Sequence, residues 1–125
     1  VYSLYERLVG EHPDVLFESC ASGGGRFDLG MMYYAPQAWL SDDTDAVERA
    51  LIQYATSYGY PQSTVGAHVS AVPNHETGRI TPLSTRGNIA FFGDLGYELD
   101  LSAASTAELA EMRDQISFYV SHREV

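Results

Sequence analysis

The stretch STVGAHVSAVPNHETGRITPLSTRGNIAFFGDLGYELDL, Ser63 to Leu101, decides the fold. Its opening segment, Ser63 to Ala71, mixes small side chains with β-branched valines and predicts a strand. Val72 to Arg79 is a polar loop. Thr81 then offers a helix N-cap with Pro82 at the first helical position, which predicts a helix over 81–93 with Gly87 as its weak point. Gly96 to Leu101 alternates as a strand does. Strand, loop, helix and strand in this order imply two parallel strands joined by a crossover helix.

The same grammar extends both ways. Upstream, Asp42 to Tyr58 predicts a helix capped by Thr44 or Asp45, with Val47, Leu51 and Tyr54 on one face. Ala38 to Ser41 precedes it as a short strand. Met31 to Gln37 is aromatic and irregular, with Pro36 arguing against a long helix. Val15 to Ser19 predicts a buried strand. Before it, Leu4, Tyr5, Leu8 and Val9 line one face of a helix that Pro13 stops, with Ser3 as the only candidate cap. Downstream, Ser105 and Glu108 form a capping box ahead of Leu109, Met112, Ile116 and Tyr119. The whole reads as an α/β chain of about four parallel strands with outer helices. Short strands emptying into polar loops fit the second half of a (β/α)8 TIM-type barrel, with a doubly wound sheet as the other architecture. The abrupt first helix predicts that residues 1–125 are one partial barrel domain, truncated on its N-terminal side.

Charge narrows the partners. The formal net charge is −10, and all seven basic residues are arginines. Such an acidic chain is expected to bind neither nucleic acid nor anionic membrane surfaces. No run is long and apolar enough to suggest a membrane span, and no signal peptide is visible. The lone cysteine, Cys20, cannot form an internal disulfide or a multi-cysteine zinc site.

Two clusters carry candidate chemistry. ESCASGGGRFDLG, Glu18 to Gly30, could be a phosphate cradle, a cysteine nucleophile with its loop, or a backbone shaped for another ligand. The phosphate reading needs a lysine that the chain lacks, and no helix is expected to open after the glycines. A nucleophilic Cys20 would need His68, His75, Asp42 or Asp45 as partners, and a cysteine ending an apolar strand reads more simply as a small buried hydrophobe or a pocket wall. The histidines show no metal-ligand spacing: His12 and His122 read as exposed helix ends and His68 as a structural residue. The second cluster is WLSDDTD, Trp39 to Asp45. A helix cap explains Asp45 and accommodates Asp43, but leaves Asp42 at the mouth of a strand. Asp42 beside Trp39 could act as a general acid, or the three acids could hold a divalent cation; spacing alone separates neither.

The stretch FESCASGGGRFDLGMMYYAPQAWLSDDTDAVER resembles the hallmark region of bacterial α-galactosidases of glycoside hydrolase family 36. YPQSTVGAHVSAVPNH, TPLSTRGNIAFFG and GYELDL resemble that family in the same order. C-x-x-G-G-G-R-x-D followed by W-x-S-D-x-T-D is a long and specific combination. The resemblance implies a catalytic (β/α)8 barrel, flanked by β-domains, that hydrolyses terminal α-1,6-linked galactose of melibiose or raffinose type with retention, and without a cofactor or metal. It implies that Asp42 is the acid/base and that Cys20 and Gly23 contact the bound galactose, with Trp39 and Arg26 supporting the pocket. A retaining glycosidase needs a second carboxylate about 5–5.5 Å away as nucleophile. In the family that residue is an aspartate in a K-W-D motif, which this chain lacks, so it is expected upstream and the isolated segment is expected to be inactive. The alternatives are a galactosyl-transferring raffinose-synthase-like enzyme, an α-N-acetylgalactosaminidase or a non-catalytic carbohydrate-binding fragment. Bacterial cytoplasmic location and a homo-oligomeric full-length enzyme are further expectations from the family.

Overall fold

A computed structural model describes residues 1–123. The helices and strands run α1 (Tyr2–Glu11), β1 (Glu18–Ser19), α2 (Leu29–Tyr34), β2 (Gln37–Ala38), α3 (Ala46–Thr56), β3 (Gly66–Ser70), α4 (Leu83–Ala90), β4 (Asp94–Glu98) and α5 (Thr106–His122). Short 3-10 turns at Gln62–Thr64 and Leu101–Ala103 lead into β3 and out of β4. The strands β1 and β2 pair in parallel, with Glu18 opposite Gln37. So do β3 and β4, with His68 opposite Gly96 and Ser70 opposite Glu98. A parallel bridge between Ala38 and Val65 joins the two pairs, so the strands stand in sequence order with no reversal.

The period of two along β3 and β4 divides the chemistry. Ala67 and Val69 face a core completed by Leu83 and Ala90 of α4 and Met112 of α5, with Leu95, Tyr97 and Leu99 packed against it. The alternate positions, Gly66, His68 and Ser70 beside Asp94, Gly96 and Glu98, place glycines and polar groups on the other face. That face receives the indole of Trp39, stacked on His68 with ring centroids 4.4 Å apart.

Capping accounts for the best-defined helix starts. The Asp45 carboxylate accepts from the Val47 and Glu48 amides, and the Ser105–Glu108 capping box is complete. His12 and His122 are the exposed helix-end residues expected of them. Elsewhere the local expectations need correction. The predicted strand over Val15 to Ser19 reduces to Glu18–Ser19, because the Val15 amide donates to the His12 carbonyl in a turn, and Leu16 is 89% exposed. The irregular segment over Met31 to Gln37 contains α2, started by Asp28, whose Oδ1 accepts from the Met31 amide at 2.9 Å. That helix has only six residues and ends just before Pro36, which fits the expectation that the proline excludes a long helix. Pro82, not Thr81, is the N-cap of α4 and supplies no side-chain bond. The Thr81 carbonyl instead accepts from Arg86 Nε. Ser3 lies inside α1, where no side chain caps the start.

One amphipathic stripe is reversed, and a second, on α5, is half kept, with Met112 buried and Tyr119 half-buried as expected. Val47, Leu51 and Tyr54 are exposed, and α3 buries Ala46, Arg49 and Gln53. On α5, Leu109 and Ile116 are exposed while Gln115 is buried. Gln115 accepts from Tyr97 and donates to the Leu83 carbonyl, and it lies over Gly87. A Cβ on Gly87 would come 2.5 Å from the Gln115 amide carbon, which explains a glycine in the middle of α4. Among the described residues no helix is long and apolar enough to cross a membrane.

Candidate active site

The carboxyl ends of β1 and β2 bring the two sequence clusters together. Cys20 follows β1 directly and is exposed, so it is not the small buried hydrophobe that its strand suggests. The chain then turns through Ser22, Gly23 and Gly24, all at positive φ, with 70° at Gly23 and 86° at Gly24. These glycines meet protein backbone. A Cβ on Gly23 would lie 2.6 Å from Ser41 Cα and 2.7 Å from the Asp42 nitrogen, and one on Gly24 would lie 2.7 Å from the Leu40 carbonyl oxygen. The glycine turn is therefore pressed against the segment that carries Asp42. Arg26 is exposed, and its carbonyl accepts from Ser19 Oγ at 3.1 Å, tying the far end of the turn to β1. A helix does open just beyond, at Leu29, contrary to the sequence expectation. Its six residues point to no phosphate chemistry in a chain without lysine.

The three acids of the second cluster separate. The strand expected over Ala38 to Ser41 ends at Ala38, and Asp42 is exposed in the loop four residues beyond it. Asp43 turns back, and its Oδ1 accepts from the Asp45 amide at 2.9 Å. Asp45 points inward and is 1% exposed. Burial pushes its carboxyl up, but bonds from Thr77, the Val47 amide, Arg79 and the Glu48 amide outweigh this and hold it below the usual carboxylate value. The carboxylates therefore do not form the cation cradle considered from sequence. Among the described residues, no group of three or more His, Cys, Asp or Glu side chains converges in metal-binding fashion.

The sequence reading missed two supports of this loop. One comes from the segment after β3. Asn74 Nδ2 donates to Thr44 Oγ1 at 3.0 Å, the Thr77 hydroxyl donates to Asp45, and Arg79 Nη1 pairs with Asp45 Oδ1 at 2.6 Å. The other is Arg49 from α3. Its guanidinium donates to the carbonyls of Ser41 at 3.3 Å and Gly66 at 2.7 Å, and to Gln53 Oε1 at 3.3 Å, while lying 4.5 Å from the centre of the Trp39 ring. Arg49 is off the Val47–Leu51–Tyr54 stripe; a cation on the face opposite an apolar stripe reads as solvent-facing until the stripe is seen to be the exposed one. His68 completes the neighbourhood, stacked on Trp39 with Nδ1 3.1 Å from Glu98 Oε2. Cys20, Gly23, Trp39 and Asp42 thus share the carboxyl ends of adjacent parallel strands, the region where α/β folds carry out chemistry.

The melibiase family model matches residues 1–125. The chain belongs to the melibiase family. It is 55% identical over 124 residues to α-galactosidase Mel36A of Lactobacillus acidophilus, covering 99% of this chain and 17% of that protein. The crystal structure of the α-galactosidase from Lactobacillus brevis superimposes with a TM-score of 0.95 at 68% identity, over 98% of this chain and 16% of that one. A variant of the family 36 α-galactosidase AgaA from Geobacillus stearothermophilus, solved in complex with raffinose, gives a TM-score of 0.95 at 52% identity. It is matched over 98% of this chain and 17% of its own length. The chain therefore spans about one-sixth of the length of these melibiase relatives. Melibiase membership agrees with the family resemblance carried by the glycine turn and the S-D-x-T-D segment.

Proposed function

We propose that residues 1–125 are the second half of the catalytic (β/α)8 barrel of a retaining α-galactosidase, with Asp42 as its acid/base. The observation that carries this reading is the exposed Asp42 in the loop that leaves the carboxyl end of β2, with the glycine turn that leaves β1 pressed against its backbone. Strands in sequence order, with helices between them, support the barrel. Cys20, Gly23, Trp39 and Arg26 are assigned to the wall of the galactose pocket. Raffinose-type oligosaccharides are the assigned substrates, supported by the raffinose complex of the AgaA variant.

In the first step a carboxylate from outside residues 1–125 attacks the anomeric carbon. The bond to the leaving oxygen breaks, and Asp42 gives that oxygen its proton. In the second step Asp42, now a carboxylate, takes a proton from water as the water oxygen displaces the enzyme carboxylate. The family resemblance also supports a homo-oligomeric enzyme in the bacterial cytoplasm, and the net charge of −10 supports one that binds neither nucleic acid nor anionic membranes.

In the complete enzyme, Asp42→Ala is expected to nearly abolish hydrolysis of raffinose, whose leaving group needs the proton. Nitrophenolate leaves without a proton, so a nitrophenyl α-galactoside still forms the glycosyl-enzyme. Azide can then attack the anomeric carbon without a base and give α-galactosyl azide. Unchanged raffinose turnover would remove Asp42 from this role.

A further inference from the structure

Arg49 is a cation at 2% exposure, and among the described residues no carboxylate is bonded to its guanidinium. Burying an arginine is costly unless its donors are used. Burial pulls its pKa down to about 10, with the charge of Asp43 opposing, so the group remains charged at neutral pH. It also sits in the first turn of α3, where the helix dipole disfavours a cation. What offsets these costs is specific. Two carbonyls accept from the fork, Ser41 immediately before Asp42 and Gly66 at the start of β3, and the guanidinium carbon lies over the Trp39 ring. The same device recurs one unit later. Arg86, in the first turn of α4, donates to the carbonyl of Ser70, the last residue of β3, at 2.6 Å. In each case a helix reaches back through a buried arginine to hold the strand end before it. Only in the first case does the held peptide lead into a candidate catalytic acid.

We propose that Arg49 is the positioning residue for Asp42. It bolts the Ser41 carbonyl and the Trp39 ring to β3, so that the Asp42 carboxylate is held at one place above the strand ends. Gly23 closes another approach: a Cβ there would lie 2.6 Å from Ser41 Cα and 2.7 Å from the Asp42 nitrogen. The peptide is thus held by a hydrogen bond on one side and steric contact on another, an arrangement that fixes position rather than merely filling space. The inference rests on the acid/base reading of Asp42.

The test uses the complete enzyme and three variants. Arg49→Lys keeps the charge but lacks the planar fork that donates to both carbonyls from over the indole. It is expected to lower kcat on raffinose by about 10- to 100-fold, the loss typical of a small misplacement of a reacting group, with KM nearly unchanged. Turnover of the nitrophenyl α-galactoside should be restored in part by azide, with α-galactosyl azide as product, as for Asp42→Ala. Gln53→Met, which removes the acceptor of the Arg49 Nε–H, is expected to show the same signature at smaller amplitude and serves if Arg49→Lys does not fold. Tyr97→Phe loses its hydroxyl bond to Gln115, away from the β2 end, and should lower stability without any azide effect. Equal losses on both substrates with no azide product, in Arg49→Lys or Gln53→Met, would overturn the proposal. If Asp42→Ala itself shows neither leaving-group dependence nor rescue, the acid/base reading falls first. If Asp42→Ala shows both and the Arg49 and Gln53 variants show neither, only the positioning role falls.

Discussion

Gly23 shows how one residue's backbone can govern another's side chain. Its φ of 70° disfavours any L side chain, at about 1–2 kcal/mol for the conformation alone. A Cβ would in addition sit 2.6 Å from Ser41 Cα, a contact that backbone, unlike a flexible side-chain tip, cannot easily relieve. Gly23→Ala in the complete enzyme is therefore expected to lower the thermal unfolding temperature and reduce turnover together, because relief requires moving the Ser41–Asp42 peptide. Wild-type kcat in a stably folded Gly23→Ala enzyme would show that the turn does not brace Asp42. The glycine run itself was conspicuous in the sequence, where it read as a loop shaped for a ligand. Its reason was not legible there, since open space for a sugar and close approach of another backbone demand the same residue.

At the scale of elements, the start of α3 and the loop 74–79 act as one unit. Asp45 caps the helix and receives Thr77 and Arg79 from the loop, while Asn74 bonds Thr44. The folded-state pKa of Asp45 is lowered, so its contribution to stability is fully present above the ordinary carboxylate value and disappears as pH falls through the lowered one. Hydrogen exchange over residues 42–49 and 74–79 reports this directly. At pH 7 the Asp45→Asn enzyme should exchange several-fold faster than the native enzyme in both segments. The difference should shrink as pH drops below the ordinary carboxylate value, where the carboxylate of the opened segment protonates first, and vanish as pH falls through the lowered value of the native group. A ratio that stays constant down to pH 2 would contradict a stabilising carboxylate. The capping role was legible because it depends on residues adjacent in the chain. The loop partners were not, since they are brought together across more than thirty residues of intervening chain.

At the scale of the molecule, the strands present one apolar face to α4 and α5 and one polar face carrying Trp39, His68 and Glu98. A retaining glycosidase needs two carboxyl groups flanking the anomeric carbon, and the proposed mechanism draws the second from outside residues 1–125. The isolated segment is accordingly expected to show no turnover of a nitrophenyl α-galactoside, and the complete enzyme to show it readily. Robust hydrolysis by the isolated segment would refute the division of labour. The sequence by itself determined what local rules control: alternating strands and helices, the Asp45 and Ser105 caps, and the S-D-x-T-D signature that marks the family. Tertiary structure decided which helix faces are inside. Periodicity nominates Val47, Leu51 and Tyr54 for burial, yet α3 buries Arg49 and Gln53 instead. The physical reason is that a buried polar side chain is acceptable only where its partners lie. The partners of Arg49, at Ser41, Gly66 and Trp39, converge only once β2, β3 and α3 have packed.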